Sequence, residues 1–170
     1  MKPTAWFSSY IPHVVKGASI AAILAAATAV LAQSAAHDHT TVASPAELKW
    51  AAAPAAYAPG AQLAVVYGNP FKAGMYVVRF KVPAGYVIPA HTHPNDENVT
   101  VLSGSFNIGT GGKLDKTRGT LVKAGGYSFV AKGMAHYAWF TEDTILQLHG
   151  VGPQGVTYVD PADDPRIDIK

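Results

Sequence analysis

The chain has 170 residues, 49% of them hydrophobic, a formal net charge of +2 and no cysteine. That length suits one domain with a core of its own, and the lack of cysteine excludes both disulfides and a cysteine-linked lipid anchor. A charge this close to neutral points to neither nucleic acid nor an anionic membrane surface as a partner.

Residues 1–36 differ in composition from the rest. Lys2 and Lys16 are their only formal charges, and 18–31 (ASIAAILAAATAVL) is an alanine-rich apolar run of fourteen residues, short of the roughly 20 that span a bilayer. This reads as a secretory signal peptide, with small residues permitting cleavage after Ala32 or Ala36. The competing reading is an uncleaved amphipathic or buried helix. No arginine pair precedes the run, which disfavours twin-arginine export. Without Lys2 and Lys16 the thirteen basic residues become eleven, equal to the eleven acidic ones. The mature chain is then formally neutral, periplasmic or secreted, and free of the membrane.

Next comes an extension and linker, 37–62. His37-Asp38-His39 would place a histidine third after cleavage at Ala36, a nitrogen set for Cu(II); the plainer reading is a polar linker. Ser44-Pro45-Ala46-Glu47 combines a capping-box pattern with proline at the first helical position, predicting one or two helical turns through Trp50. Residues 51–60 (AAAPAAYAPG), with two prolines and a closing glycine, read as a surface connector. Short strands are then expected over 63–67, 75–82, 98–102, 105–108, 120–122, 127–130, 136–140, 144–149 and 156–159. The glycine-rich 109–119 forms a polar hairpin loop, and a peripheral tail covers 160–170. On 75–82, Arg79 and Lys81 should face solvent while Val78, Phe80 and Val82 face the core. Strands this short and regularly punctuated favour an all-β sandwich or barrel over 63–159.

The chemistry concentrates in 85–104, GYVIPAHTHPNDENVTVLSG. Alternate side chains on a strand share a face, so His91 and His93 point the same way and can converge on one ion. Pro94 removes a backbone donor directly afterwards, which should end the strand and let Glu97 return from the next one. The natural third histidine is His136, delivered onto another strand behind its own glycines. Three neutral imidazoles and a carboxylate suit a divalent transition metal, Fe, Mn, Co, Ni, Cu or Zn, better than Ca or Mg. An exposed polar loop is the bland alternative, but it would make the flanking glycines and His136 coincidences.

The spacing G-x5-H-x-H-x3-E-x6-G, filled by Gly85, His91, His93, Glu97 and Gly104, resembles the first motif of the cupin superfamily. The second, G-x5-P-x-G-x2-H-x3-N, is matched by Gly125, Gly133 and His136. Ala131 stands in place of its proline and Phe140 in place of its asparagine. The resemblance spans about 63–150. It implies a double-sheet jelly-roll β-barrel holding one metal on His91, His93, Glu97 and His136.

An octahedral ion on four protein ligands keeps two positions open for a small-molecule ligand or for substrate and dioxygen. If His136 points inward, Ala138 and Phe140 do too, and Val99 and Val101 share the face of Glu97. This predicts an apolar cavity. Gln147 and His149, on one face of a later strand, are its expected polar handles. Similar centres in the superfamily serve dioxygenases, isomerases and decarboxylases, and also sensors and binding proteins. Phe140 for asparagine, and the scarcity of acid and base groups, favour an exported mononuclear metal-binding protein. A metal-dependent oxidoreductase acting on a small oxygen-rich substrate is the alternative. Similar barrels often pair through sheet edges, so a homodimer is expected.

Overall fold

A computed structural model describes residues 41–167; the leader read over 1–36 and the His37-Asp38-His39 stretch lie outside them. Eleven strands occur among the described residues: β1 (Ala51–Ala52), β2 (Gln62–Tyr67), β3 (Gly74–Val82), β4 (Val87–Thr92), β5 (Glu97–Ser103), β6 (Ser105–Thr110), β7 (Thr120–Lys123), β8 (Tyr127–Val130), β9 (His136–Trp139), β10 (Thr144–Gly152) and β11 (Thr157–Tyr158). They form two antiparallel sheets, ordered β1-β2-β3-β10-β5-β8 and β11-β4-β9-β6-β7. From β3 onward every connection except β6–β7 crosses from one sheet to the other, a jelly-roll arrangement. Neighbours in sequence therefore face each other across the core.

The inner faces follow the period of two. On β3 the buried positions are Tyr76, Val78, Phe80 and Val82, alternating with Val77, Arg79 and Lys81. Lys81 is exposed as expected, whereas Arg79 is half-buried, flanked by Gln147 on the paired β10. Val99, Val101 and Leu146 add to this face, and Ile88, Phe106, Ala138 and Phe140 meet them from the other sheet. Phe106 and Phe140 stack with ring centres 5.9 Å apart.

Two crossings show how sequence dictates path. Gly104 alone separates β5 from β6, which belong to different sheets. Its φ is +73° and an added Cβ would lie 2.5 Å from the Asp143 carbonyl oxygen, so only glycine turns this corner. The 109–119 loop, expected to be a polar hairpin, does join β6 to β7. It also covers Tyr137 and Trp139, which the alternation of β9 sends outward and which are nonetheless 1% and 8% exposed. The Trp139 ring occupies the space a side chain at Gly119 would need, 2.1 Å away.

The N-terminal extension differs from expectation. The helical turn read through Trp50 is a single 3₁₀ turn, Pro45–Glu47, in which the Ser44 N–H donates to Glu47 Oε2 at 3.0 Å. Leu48 is already extended, because β1 then pairs with Leu63 and Gln62 of β2. Sheet pairing thus overrides local helix preference. The connector after β1 is tied down by Tyr86 Oη donating to the Ala58 carbonyl (2.6 Å) and Tyr158 Oη donating to that of Ala56 (2.7 Å).

Candidate metal centre and adjoining cavity

His91 on β4 and His136 on β9 are directly opposed in the ladder between those strands, and their rings are 4.2 Å apart. His93 stands just past the end of β4, where the proline that follows it interrupts the strand. Its carbonyl accepts the Gly133 N–H at 2.9 Å. That bond ties the two glycine-bounded histidine segments together. Glu97 is the first residue of β5 in the opposite sheet, so the cluster lies between the sheets.

All four side chains are buried, from 2% exposed for His136 to 7% for Glu97. The ligand atoms available on His91, His93 and His136 lie within 4.8 Å of one another. Bonds of about 2.1 Å would set two ligands of one ion at most about 4.2 Å apart, so this spread approaches a coordination sphere. Glu97 brings Oε1 to 3.3 Å from His93 Nε2 and Oε2 to 3.5 Å from His136 Nε2.

The backbone decides which nitrogens face inward. His91 Nδ1 is 2.7 Å from the Pro89 carbonyl oxygen, His93 Nδ1 2.6 Å from that of Gly155, and His136 Nδ1 3.1 Å from that of Met134. A carbonyl can only accept, so each Nδ1 carries the proton and each neutral ring keeps its lone pair on Nε2. Backbone partners of this kind fix the tautomer of metal-bound histidines. Burial, reinforced by the neighbouring His136 and His93, pushes His91 down to about 3, so its ring is neutral at ordinary pH. Burial alone would lower His93 as well, but the hydrogen bond and charge of Glu97 outweigh it and raise the value. Burial would raise Glu97, yet its contacts with His136 and His93 outweigh this and hold it below the usual carboxylate range. A carboxylate and inward lone pairs within contact distance need a proton or a cation between them. The donor set fits a transition metal.

Two small cavities adjoin the cluster. One, of about 40 Å³, is lined by His91, His136, Glu97 and the apolar side chains of the core, among them Ala138 and Phe140. The other, of about 70 Å³, shares Tyr57, Phe80, Glu97 and Leu148 with it and extends towards Phe71, which is 60% exposed at the rim. Phe140 thus lines the interior. Gln147 and His149 do not: Leu146 and Leu148 face the cavities, and the alternation of β10 turns Gln147 and His149 to the other side of the sheet. Tyr76 and Gln154 border the second cavity instead. Tyr76 shares the parity of Val78 and Phe80 on β3, which by itself marks only a core aromatic. Gln154, on the loop after β10, has no periodic signal at all.

A family model described as the ChrR cupin-like domain matches residues 38–154, whereas no curated protein matches the chain. Among solved structures, the polyketide cyclase RemF from Streptomyces resistomycificus is similar at 19% identity and a TM-score of 0.61, over 75% of this chain and 90% of that one. A provisionally assigned acetylacetone dioxygenase from Methylibium petroleiphilum gives 20% and 0.57, over 75% and 85%. An RmlC-like cupin protein from Ralstonia eutropha gives 21% and 0.57, over 74% and 76%. At such identities the likeness is one of fold. The match over residues 38–154 and the shared jelly roll place this chain in the ChrR cupin-like family of the cupin superfamily.

Proposed function

We propose that the protein binds one divalent transition metal through Nε2 of His91, His93 and His136 and the carboxylate of Glu97, and presents it to a small molecule in the adjoining cavity. The observation that carries this reading is the backbone anchoring of all three Nδ1 atoms, which aims three lone pairs and an anion at one buried point. When bound, such an ion supplies Lewis acidity and open coordination positions. The chain's own residues fix the ligand geometry and, through Phe140 and Phe106, keep the surroundings apolar. Fe, Mn, Zn, Cu and Ni all suit the donors, and the affinity order favours Cu and Zn wherever metals compete freely.

The N-terminal pattern supports export, and the absence of a charged patch in the composition supports a small-molecule ligand rather than nucleic acid. A homodimer is part of the same reading. A metal-dependent oxidoreductase is the second reading. It draws on the cavity reaching Glu97 and on the dioxygenase assignment of the similar Methylibium protein. Oxygen uptake by metal-reconstituted protein on small diols, keto-acids or oxalate would favour it.

The test is elemental analysis of the chain recovered from periplasm or medium. We expect a terminus at Gln33 or His37 and about one transition metal per chain, falling close to zero in the His91→Ala, His93→Ala double variant. Equal metal in both proteins would refute the site.

A further inference from the structure

Apart from Glu97 itself, the cavity beside it is apolar except at one place. Tyr76 Oη and the side-chain amide of Gln154 are buried there side by side, close enough to influence each other but without a well-formed hydrogen bond to any protein group. Two orphaned groups on separate elements are costly: a buried polar atom left unpaired loses about 1–3 kcal/mol. The backbone of both is firmly placed. Tyr76 lies opposite Gly150 in the β3–β10 ladder, with its ring edge over the glycine: an added Cβ there would touch Tyr76 Oη at 3.4 Å. Gln154 is held by its own N–H, which donates to the Pro70 carbonyl at 2.6 Å, and by Asn95 Nδ2 donating to the carbonyl of Pro153 at 2.8 Å. The next residue, Gly155, supplies the carbonyl that orients His93. The orphaned amide is therefore one residue from a contact of the metal cluster.

Burial, with the charge of Glu97 second, pushes the Tyr76 hydroxyl up to about 12, so it keeps its proton and can donate. Gln154 offers both a donor and an acceptor. Neither group carries a charge, and the only ionisable group bordering the cavity besides tyrosine is the Glu97 carboxylate, which disfavours a second anion.

We propose that this cavity selects a small uncharged molecule with an apolar body and a single hydroxyl or carbonyl end, gripped jointly by Tyr76 and Gln154. The apolar body lies against Phe80, Val78 and Leu148. The inference supplies the ligand chemistry of the site proposed above and rests on that reading only in placing the molecule next to the metal. The polar grip itself operates with or without an ion.

Phenol and toluene, which have nearly the same shape, are the probes. Their affinities are measured by calorimetry on the full chain, both metal-free and zinc-loaded. Phenol should bind about tenfold more tightly than toluene in both states, the scale of one or two net hydrogen bonds. Combining Tyr76→Phe with Gln154→Leu should abolish the preference and leave toluene affinity within about twofold; each single change, close in shape to the native residue, should remove part of it. The His91→Ala, His93→Ala variant should retain the preference, which separates failure of the metal reading from failure of this one. Equal binding of the two probes would mean that water serves these groups and would overturn the proposal. Binding of neither probe, a preference that survives the double substitution, or one seen only with zinc would overturn it too.

Discussion

The histidine cluster and the cavity beside it are both buried and both contain polar groups, but they treat them in opposite ways. In the cluster every ring is anchored at Nδ1 by a carbonyl, and the Nε2 atoms of His93 and His136 meet a Glu97 oxygen. In the cavity Tyr76 and Gln154 have a firmly placed backbone and no well-formed hydrogen-bond partner. The cluster resembles Thr144 elsewhere in the core, whose Oγ1 donates to the Ser105 carbonyl at 2.7 Å and accepts from the Ser105 N–H at 3.3 Å. The difference teaches where function resides. Rings anchored by backbone carbonyls and converging on one point suit a single ion, whereas groups without a well-formed protein partner suit an uncharged molecule that supplies the missing hydrogen bonds.

That contrast can be broken at several points. The largest stability effect is expected from the metal: a ligand present at a hundredfold excess over its dissociation constant adds about 2.7 kcal/mol. A strong chelator should therefore lower the melting temperature by several degrees, because an ion held by the proposed ligands would join β4, β9 and β5 across two sheets. An unchanged melting curve would make the ion peripheral. Next comes Thr144→Val, which keeps the shape but strands the N–H and carbonyl of Ser105; urea denaturation should register a loss of about 1–3 kcal/mol. The smallest loss belongs to the cavity. Tyr76→Phe removes a hydroxyl with no well-formed protein hydrogen bond and should leave stability unchanged or raise it, by at most about 1–3 kcal/mol. A loss as large as that at Thr144 would show that the hydroxyl is satisfied after all, and the contrast would fail.

Legibility followed the reach of each signal. The strands of the fold, the parity of β3 and the pairing of His91 with His93 rest on alternation, which is local and survives any packing. Even the outward turn of Tyr137 and Trp139 was readable, though not the loop that folds back to bury them. Gln147 and His149 misled because parity says that two residues share a face without saying which face is inside. The strand at Ala51–Ala52 was missed because two alanines carry no pattern, and only the edge of β2 makes them a strand. Gln154 was silent for the same reason: a loop residue acquires its environment from chain segments far away in sequence.

By itself the sequence determined an all-β fold, the spacing of the ligand residues and the corner at Gly104, since side-chain alternation, a proline's missing donor and a glycine's positive φ act within a few residues. The tertiary structure alone decided that Glu97 faces the histidines from the opposite sheet, that backbone carbonyls select the inward nitrogens, and that Tyr76 and Gln154 share one cavity. Those facts depend on which strands cross the core and which carbonyls end beside which rings. No local interaction specifies that.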